Sequence, residues 1–336
     1  MRFLSAGRIL VGGLALLVVA FGLWIIPSND YIFLPDTAHP VAPLVVVPNG
    51  HNPTTGGIYY VDVIIRKATL LERLFGGLHD GADLEKPEDV IPAGLNSAQN
   101  ELLSLNEMKT SQQYAAAVAL RSLGYKVSAV GVGARVIAVE PGFPAAGKLQ
   151  GLDVIEEVDG ATVRTSHDLS VAMSKKRPGQ TVRFTIDRAK ATKTVTVRTT
   201  ADPHQKTRAS VGIQVADAQT VLMPFKVSID AGDVGGPSAG LAFALDIVEE
   251  LGHDVARGNK IAATGEIALD GTVGAIGGIK QKTFGARETG VDAFLVPVQN
   301  AAAARRYAHG LRIIPVGNFQ QALRALATLR PKSPSH

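Results

Sequence analysis

The chain reads Asp233-Val-Gly-Gly-Pro-Ser-Ala-Gly240, which sets one serine among three glycines and a proline. The next run, residues 241–251, has apolar residues at helical spacing and contains neither glycine nor proline. Small neighbours leave the hydroxyl of Ser238 uncovered, and a helix N-terminus favours negative charge. Ser238 is therefore a candidate nucleophile. The same residues also fit a simple turn in which the serine caps the helix.

Composition bounds the possible functions. The 336 residues are 46% hydrophobic and 19% charged, which is enough for two or three domains with their own cores. The net charge of +4 comes from scattered residues, and without a basic patch interleaved with aromatics we expect no nucleic-acid partner. Cysteine is absent, which excludes disulfides and thiolate metal sites. We expect no cofactor, because the one run with phosphate-loop spacing, 142–149, ends in Leu149 instead of a hydroxyl residue.

An uncharged apolar segment lies near the N-terminus. Residues 9–27 are close to the length that crosses a bilayer as a helix. Arg8 precedes the segment and Asp30 follows it, so residues 1–8 are predicted to be cytoplasmic and the rest extracytoplasmic at the cell membrane. The alternative interpretation is a cleaved signal peptide.

Residues 28–126 carry no recognisable chemistry. Two strand-like runs joined by a turn-rich loop are followed by a long predicted helix over 97–123. We predict that this region is a structural collar between the membrane and the catalytic domain.

Residues 127–200 form a distinct predicted domain. Its motifs are Val139-Glu-Pro-Gly-Phe-Pro-Ala-Ala146, Gly151-Leu-Asp-Val-Ile-Glu-Glu-Val-Asp-Gly160 and Arg177-Pro-Gly-Gln-Thr-Val-Arg-Phe184. This part of the chain resembles a PDZ domain of the bacterial HtrA type. One departure is Leu152, where the family usually has glycine before the aspartate.

The PDZ resemblance implies a peptide-binding groove. An extended peptide or free C-terminus would add as a strand beside residues 135–139, and a helix starting at Ser166 would line the groove. The groove residues implied in this way are Gly131, Val132, Gly133, Ala134 and Val136.

Residues 205–330 alternate predicted strands and helices, which indicates an α/β or α+β layer structure. The stretch Gly277-Gly-Ile-Lys-Gln-Lys-Thr-Phe-Gly-Ala286 places two lysines at the start of a helix. Burial and the positive helix end both favour a neutral amine there, and such an amine could take the proton of a serine. Lys280 and Lys282 point about 200° apart on a helix, so only one can face Ser238. The residues alone do not decide which.

Four motifs in this last domain resemble, in order and spacing, the proteolytic domain of Lon peptidases. They are Gly235-Gly-Pro-Ser-Ala-Gly240, Ala263-Thr-Gly-Glu-Ile-Ala-Leu269, Gly274-Ala-Ile-Gly-Gly-Ile-Lys-Gln-Lys282 and Phe294-Leu-Val-Pro297. The match covers about residues 211–329. With the leading helix and the PDZ domain, the whole chain resembles bacterial PDZ-plus-Lon membrane proteins of the YlbL-like type, which lack the ATPase module.

The Lon resemblance implies a role for each matching residue. Ser238 would be the nucleophile and Lys282 the general base, with Thr264 beside the lysine. The backbone N–H of Ser238 would form the oxyanion hole with Gly235 and Gly236. The departure is Gly235 itself, where cytoplasmic Lon enzymes typically have an aspartate before Gly-Pro-Ser.

We therefore expect a membrane-anchored, ATP-independent serine endopeptidase that acts on unfolded or extracytoplasmic membrane-associated proteins. Its PDZ domain would recruit or gate substrate, and the Lon resemblance implies a homo-oligomeric ring, expected to contain six subunits. One alternative is a PDZ scaffold or adaptor whose peptidase domain is latent or inactive. Another is an α/β-hydrolase, in which Gly236–Gly240 is the nucleophile elbow and Asp270 or Asp292 acts with His309.

Overall fold

The computed structural model describes residues 6–52, 55–92 and 95–332. On the first helix the side chains are described at residues 10, 11 and 13–25. The N-terminal elements are α1 (Ala6–Ile25), β1 (Pro27–Pro35), β2 (His39–Pro40), β3 (Val45–Val46), β4 (Gly57–Tyr60), β5 (Val63–Thr69), α2 (Leu70–Leu74), β6 (Asp83–Glu85), α3 (Pro87–Val90) and α4 (Ser97–Ser122).

The middle of the chain is mainly β-structure. Its elements are β7 (Ser128–Val139), β8 (Val154–Val158), β9 (Ala161–Thr162), α5 (Ser166–Ser174), β10 (Thr181–Arg188), β11 (Ala191–Arg198), β12 (Thr200–Ala201), β13 (Ala209–Ser210) and β14 (Ile213–Leu222).

Strands and helices alternate in the C-terminal part. The elements are β15 (Ser228–Ile229), α6 (Gly240–Glu250), β16 (Lys260–Ala263), β17 (Glu266–Ile267), β18 (Val273–Gly274), α7 (Ile279–Glu288), β19 (Ala293–Pro297), α8 (Ala301–Tyr307), β20 (Ile313–Val316) and α9 (Phe319–Ala327). The mixed α/β class predicted from sequence is confirmed.

The predicted transmembrane helix over 9–27 is not confirmed. Judged by length and hydropathy over the described part of the chain, no helix qualifies as a membrane span.

A five-stranded sheet in the order β2-β4-β16-β19-β20 forms the centre of the C-terminal domain. Strands β4, β16, β19 and β20 run parallel. Residues 28–126 are predicted to form a separate collar, but the structure differs, because β4 from this region lies beside β16 within the same sheet. Ile261 on β16 is fully buried, and an interior strand of this kind needs a hydrogen-bonded partner on each side.

Helix α4 also belongs to this domain. It packs along α6, and every residue of α6 is buried between α4 and the sheet. A surface helix would keep a polar face, whereas α6 is enclosed on all sides. Small residues on α4, including Ala115 and Ala119, allow the close approach. Residues predicted as a collar therefore form part of the core beneath Ser238.

The PDZ-like sheet has the order β11-β10-β8-β7-β14. Strand β14 pairs antiparallel with β7 from Ile213 opposite Val139 to Leu222 opposite Ser128. The sequence assigned residues 211–215 to the last domain, but β14 is instead the edge strand of the PDZ sheet. The PDZ unit is thus inserted between α4 and the serine loop.

Leu152 shows how this chain departs from the family pattern. Its φ of 72° lies in the left-handed region that favours glycine. A leucine in this conformation costs about 1–2 kcal/mol relative to the right-handed form. Its N–H donates to the carbonyl of Val136 at 2.8 Å, so the turn keeps its hydrogen bonding despite the substitution.

The side chain of Asn318 caps α9 by accepting from the N–H of Gln321. Asn300 does not cap α8, because its amide pairs instead with the backbone of Ile276.

Candidate active site

The structure brings Ser238 and Lys282 into direct contact. The Nζ atom of Lys282 lies 2.6 Å from the Oγ of Ser238. Lys282 also donates to the carbonyl of Val61 at 2.9 Å, and the hydroxyl of Thr264 lies 3.4 Å away. These contacts hold the amine at one position, since three acceptors from three different segments converge on it.

Helix α7 positions the amine. It begins after Gly278, whose φ of 65° is in the glycine-favouring region, and Lys282 closes the first helical turn through its N–H to the carbonyl of Gly278. The Lys282 side chain is 4% exposed, so little water reaches it.

Burial lowers the pKa of Lys282 to about 8, because a charged ammonium is poorly solvated there. The nearby carboxylate of Asp62 opposes this shift and raises the pKa. A lysine with this pKa is present as a free amine to a useful extent near neutral pH. The free amine could accept the hydroxyl proton of Ser238 through the contact already formed.

Lys280 lies on the other side of α7. Its Nζ donates to the carbonyl of Ala82 at 3.0 Å and to the carboxylate of Asp83 at 2.7 Å. The structure thus decides between the two lysines, and only Lys282 faces the serine.

The loop that carries Ser238 is fixed through its backbone. The carbonyl of Ser238 accepts from the N–H of Gly265 at 2.8 Å and from the hydroxyl of Thr264 at 3.1 Å. Thr264 is fully buried, and its hydroxyl contacts both the backbone of Ser238 and the amine of Lys282. The residue before α6 is Ala239, and no side chain caps this helix. The serine-cap interpretation therefore does not describe this loop.

The predicted oxyanion hole is only partly available in this conformation. The N–H of Gly236 donates to the carbonyl of Ser104 on α4 at 2.9 Å and cannot also bind a substrate oxygen. Gly235 packs against the same residue, because a Cβ there would lie 2.4 Å from the Ser104 Oγ. The hydroxyl of Ser111 donates to the carbonyl of Pro237 at 2.8 Å. Helix α4 therefore holds the serine loop in place.

Four of these neighbours were not predicted: Val61, Asp62, Ser104 and Ser111. Asp62 lies within the strand-like apolar run 58–65, and this polar interruption was the one available signal in the sequence. The two serines on α4 carry no such signal, because nothing local distinguishes them from other polar helix residues.

An open cleft of about 610 Å³ leads to the serine. Phe33, Val63, Ile65 and Ile276 contribute apolar walls, and Ser238 and Lys282 also line the cleft. A second cleft along β1 and α4 adjoins it through shared residues. The site can therefore take an extended chain rather than only a small molecule.

The predicted PDZ groove residues do not line a free strand edge. Residues 131–136 lie on β7, which pairs with β14 on one side, while β8 and Arg164 cover the other. A cavity lies instead between β14 and α5, with Leu169 and Met173 on one side and Ile213 and Val215 on the other. Because β7 pairs with β14, no free strand edge is left at residues 131–136.

The hydrolase triad is not assembled. The carboxylate of Asp270 accepts from the N–H of Thr272, and that of Asp292 accepts from the N–H of Lys260. Within the described residues, neither they nor His309 contact the Ser238 hydroxyl.

Comparison with protein families identifies two domains. Residues 205–328 match the family described as the Lon protease (S16) C-terminal proteolytic domain, and residues 121–199 match the PDZ domain family. The chain therefore contains a serine peptidase domain of the Lon type and a PDZ domain. The match starting at 205 does not include β4 or α4, which the structure adds to the same core.

Several individual relatives are Lon proteases. Lon protease 2 of Bacillus subtilis is 38% identical over 90 residues, which is 27% of this chain and 16% of that protein. Lon protease of Xanthomonas oryzae pv. oryzae is 35% identical over 128 residues, covering 37% of this chain and 15% of that protein. The chain thus spans less than a fifth of the length of these relatives.

One solved structure is similar to the PDZ part. The crystal structure of the PDZ domain of an SdrC-like protein from Listeria monocytogenes is 26% identical, covering 25% of this chain and 87% of that one, with a TM-score of 0.23.

Proposed function

We propose that this chain is an ATP-independent serine endopeptidase that cleaves peptide bonds with a Ser238–Lys282 dyad. The observation that carries the proposal is the 2.6 Å contact between the buried amine of Lys282 and the hydroxyl of Ser238. The Lon-type domain match supports the same reaction class.

The reaction follows the serine–lysine form of acyl transfer. The neutral amine of Lys282 takes the hydroxyl proton as the Ser238 Oγ attacks the peptide carbonyl carbon. The N–H of Ser238 and the N-terminal end of α6 stabilise the developing oxyanion. The resulting ammonium protonates the leaving amine, and an acyl-enzyme remains. Water, deprotonated by the same amine, then releases the acid product and restores the serine.

The substrates proposed here are unfolded or flexible protein segments. The cleft presents apolar walls that suit an extended chain, and the sequence encodes no recognisable ATPase motif to unfold a compact protein. A tightly folded protein would therefore be a poor substrate.

The PDZ domain is proposed to recruit substrate by a free C-terminus. Residues 208–212, which include Arg208 and strand β13, also line the apolar groove between β14 and α5. Strand β14 ends at Leu222, 16 residues before the serine, so the strand beside the groove continues into the catalytic loop. This connection supports a gating role.

Membrane attachment and a hexameric ring also remain proposals. Large apolar side chains on α1 are exposed, with Leu10 at 73% and Trp24 at 61%, and such a surface needs a covering partner. Fractionation of cells that express the full chain tests attachment, and mass measurement of the purified protein tests the subunit number.

The proposed activity is tested by turnover of a disordered protein without ATP. Ser238→Ala and Lys282→Met should each abolish cleavage, because one lacks the nucleophile and the other lacks the base. Lys280→Met is the matched control, since it removes a lysine from the same helix that faces away from the serine. Unchanged cleavage in Ser238→Ala or Lys282→Met would exclude the proposed chemistry.

A second function, a PDZ scaffold with a latent peptidase, is favoured by one observation. The N–H of Gly236 is occupied by the carbonyl of Ser104, so part of the oxyanion hole is closed. A serine-reactive probe distinguishes the two functions, because a latent enzyme would label only after a groove peptide or a partner is added.

A further inference from the structure

A cluster of three metal-ligating side chains lies beside the lysine. Among the residues that the structure describes, Asp36, His39 and Asp62 form the one group whose ligand atoms all lie within 4.8 Å of one another. The Nε2 of His39 is 3.3 Å from the carboxylate of Asp36 and 3.7 Å from that of Asp62. Asp36 comes from the loop between β1 and β2, His39 is the first residue of β2, and Asp62 comes from the junction of β4 and β5.

The hydrogen bonding within the cluster is incomplete. The Oδ1 of Asp62 is enclosed and receives no hydrogen bond, and at 3.7 Å it is beyond the reach of the imidazole. Asp36 has a hydrogen-bond donor, since its Oδ1 accepts from the N–H of Thr37 at 2.7 Å. A single Nε2 proton of His39 cannot form a short hydrogen bond with both carboxylates. Burial and the negative charge of Asp36 both raise the pKa of Asp62. A positive group between the two carboxylates would supply the partner that the Oδ1 of Asp62 lacks.

We propose that Asp36, His39 and Asp62 bind a divalent metal ion of the Zn²⁺ class. One imidazole nitrogen with two carboxylate oxygens suits Zn²⁺ or Co²⁺, whereas Mg²⁺ and Ca²⁺ prefer oxygen ligands alone. Ligand atoms about 2.0 Å from a tetrahedral ion are about 3.3 Å apart, close to the two distances measured to His39. The side chains of Asp36, His39 and Asp62 are 31%, 38% and 26% exposed, so the ion can enter and water can complete its shell.

The bound ion would link the β1–β2 loop and the β4–β5 junction, which both lie near Lys282. Val61, whose carbonyl accepts from the Lys282 amine, directly precedes Asp62. The carbonyl of Asp36 packs against Gly285 on α7, where an added Cβ would overlap it. The metal would thus hold the β1–β2 loop and the β4–β5 junction against the helix that carries the amine. The site itself does not depend on peptidase activity.

Binding is tested on the full chain carrying Ser238→Ala, which keeps the readout independent of catalysis. Titration calorimetry with Zn²⁺ should show one ion per chain, and Co²⁺ should give the visible absorption band of a tetrahedral site. His39→Ala and Asp36→Asn should each weaken binding by about tenfold or more. His79→Ala is the matched control, because His79 pairs with Glu72, which Arg66 already neutralises.

Thermal melting of each variant establishes that it is folded, and His39→Gln replaces His39→Ala if the latter is not. Absence of both the calorimetric signal and the cobalt band would overturn the proposal. Unchanged zinc affinity in folded His39→Ala and Asp36→Asn would also overturn it, because the ion would then lie elsewhere.

Discussion

The pH dependence of serine acylation should report the pKa of Lys282. With a pKa of about 8 in place of the ordinary 10.5, roughly a tenth of the amine is neutral at pH 7 and about nine tenths at pH 9. If the neutral amine is the base, the labelling rate of Ser238 should rise about tenfold over this interval and then level off. An unperturbed lysine would give about a hundredfold rise with no plateau.

The lowered pKa of Lys282 also predicts an effect on the free energy of unfolding. The shift from 10.5 to about 8 means that the charged ammonium destabilises the folded state by about 3 kcal/mol. Because the pKa is lower in the folded than in the unfolded state, this destabilisation is present in full below pH 8. It fades as pH rises toward 10.5, and stability should rise across that window.

The assay follows labelling by a fluorophosphonate probe at fixed intervals between pH 6 and 10. Asp62→Asn removes a carboxylate that raises the pKa of Lys282, so its midpoint should move to lower pH. Lys280→Met should keep the midpoint of the unaltered chain. A rate that climbs steadily to pH 10, or a midpoint that moves upward in Asp62→Asn, would refute the role of a buried amine.

Three other predictions concern packing, buried charge and the groove. Gly285→Ala should destabilise the protein by about 1–3 kcal/mol in denaturant unfolding, since its Cβ would overlap the carbonyl of Asp36. Gly77→Ala, with nothing near its Cβ, should be neutral, and equal effects would contradict the packing argument. Asp246 is fully buried without a hydrogen-bond partner, and burial raises its pKa to about 8, so stability should fall as pH rises from about 4 to about 8. Asp246→Asn should flatten that slope in thermal melts, and an unchanged slope would assign it to other groups. Arg208→Ala should weaken binding of a peptide with a free C-terminal carboxylate about tenfold but not of its amidated form, and equal losses for both would exclude a carboxylate contact.

Local sequence predicted those parts of the site that lie within one motif. The flexible loop around Ser238 and the lysine pair at the start of α7 can be predicted from sequence, because loop flexibility and helix position depend on neighbouring residues. The alternation of strands and helices over the last 120 or so residues predicted the layered domain for the same reason. The choice between Lys280 and Lys282 needed either a family resemblance or the structure.

Contacts between distant segments were decided by the tertiary structure alone. Val61 and Asp62 approach Lys282 across 221 and 220 positions of the chain, as their numbers show. A parallel strand such as β4 makes its hydrogen bonds with a partner far along the sequence, and no local pattern names that partner. The partner of β14 is likewise not named by a local pattern, because its alternation of apolar residues fits both the PDZ sheet and the sheet of the C-terminal domain. The sequence by itself determined which residues could react, whereas long-range pairing decided which residues bury the amine and which strand forms the edge of the PDZ sheet.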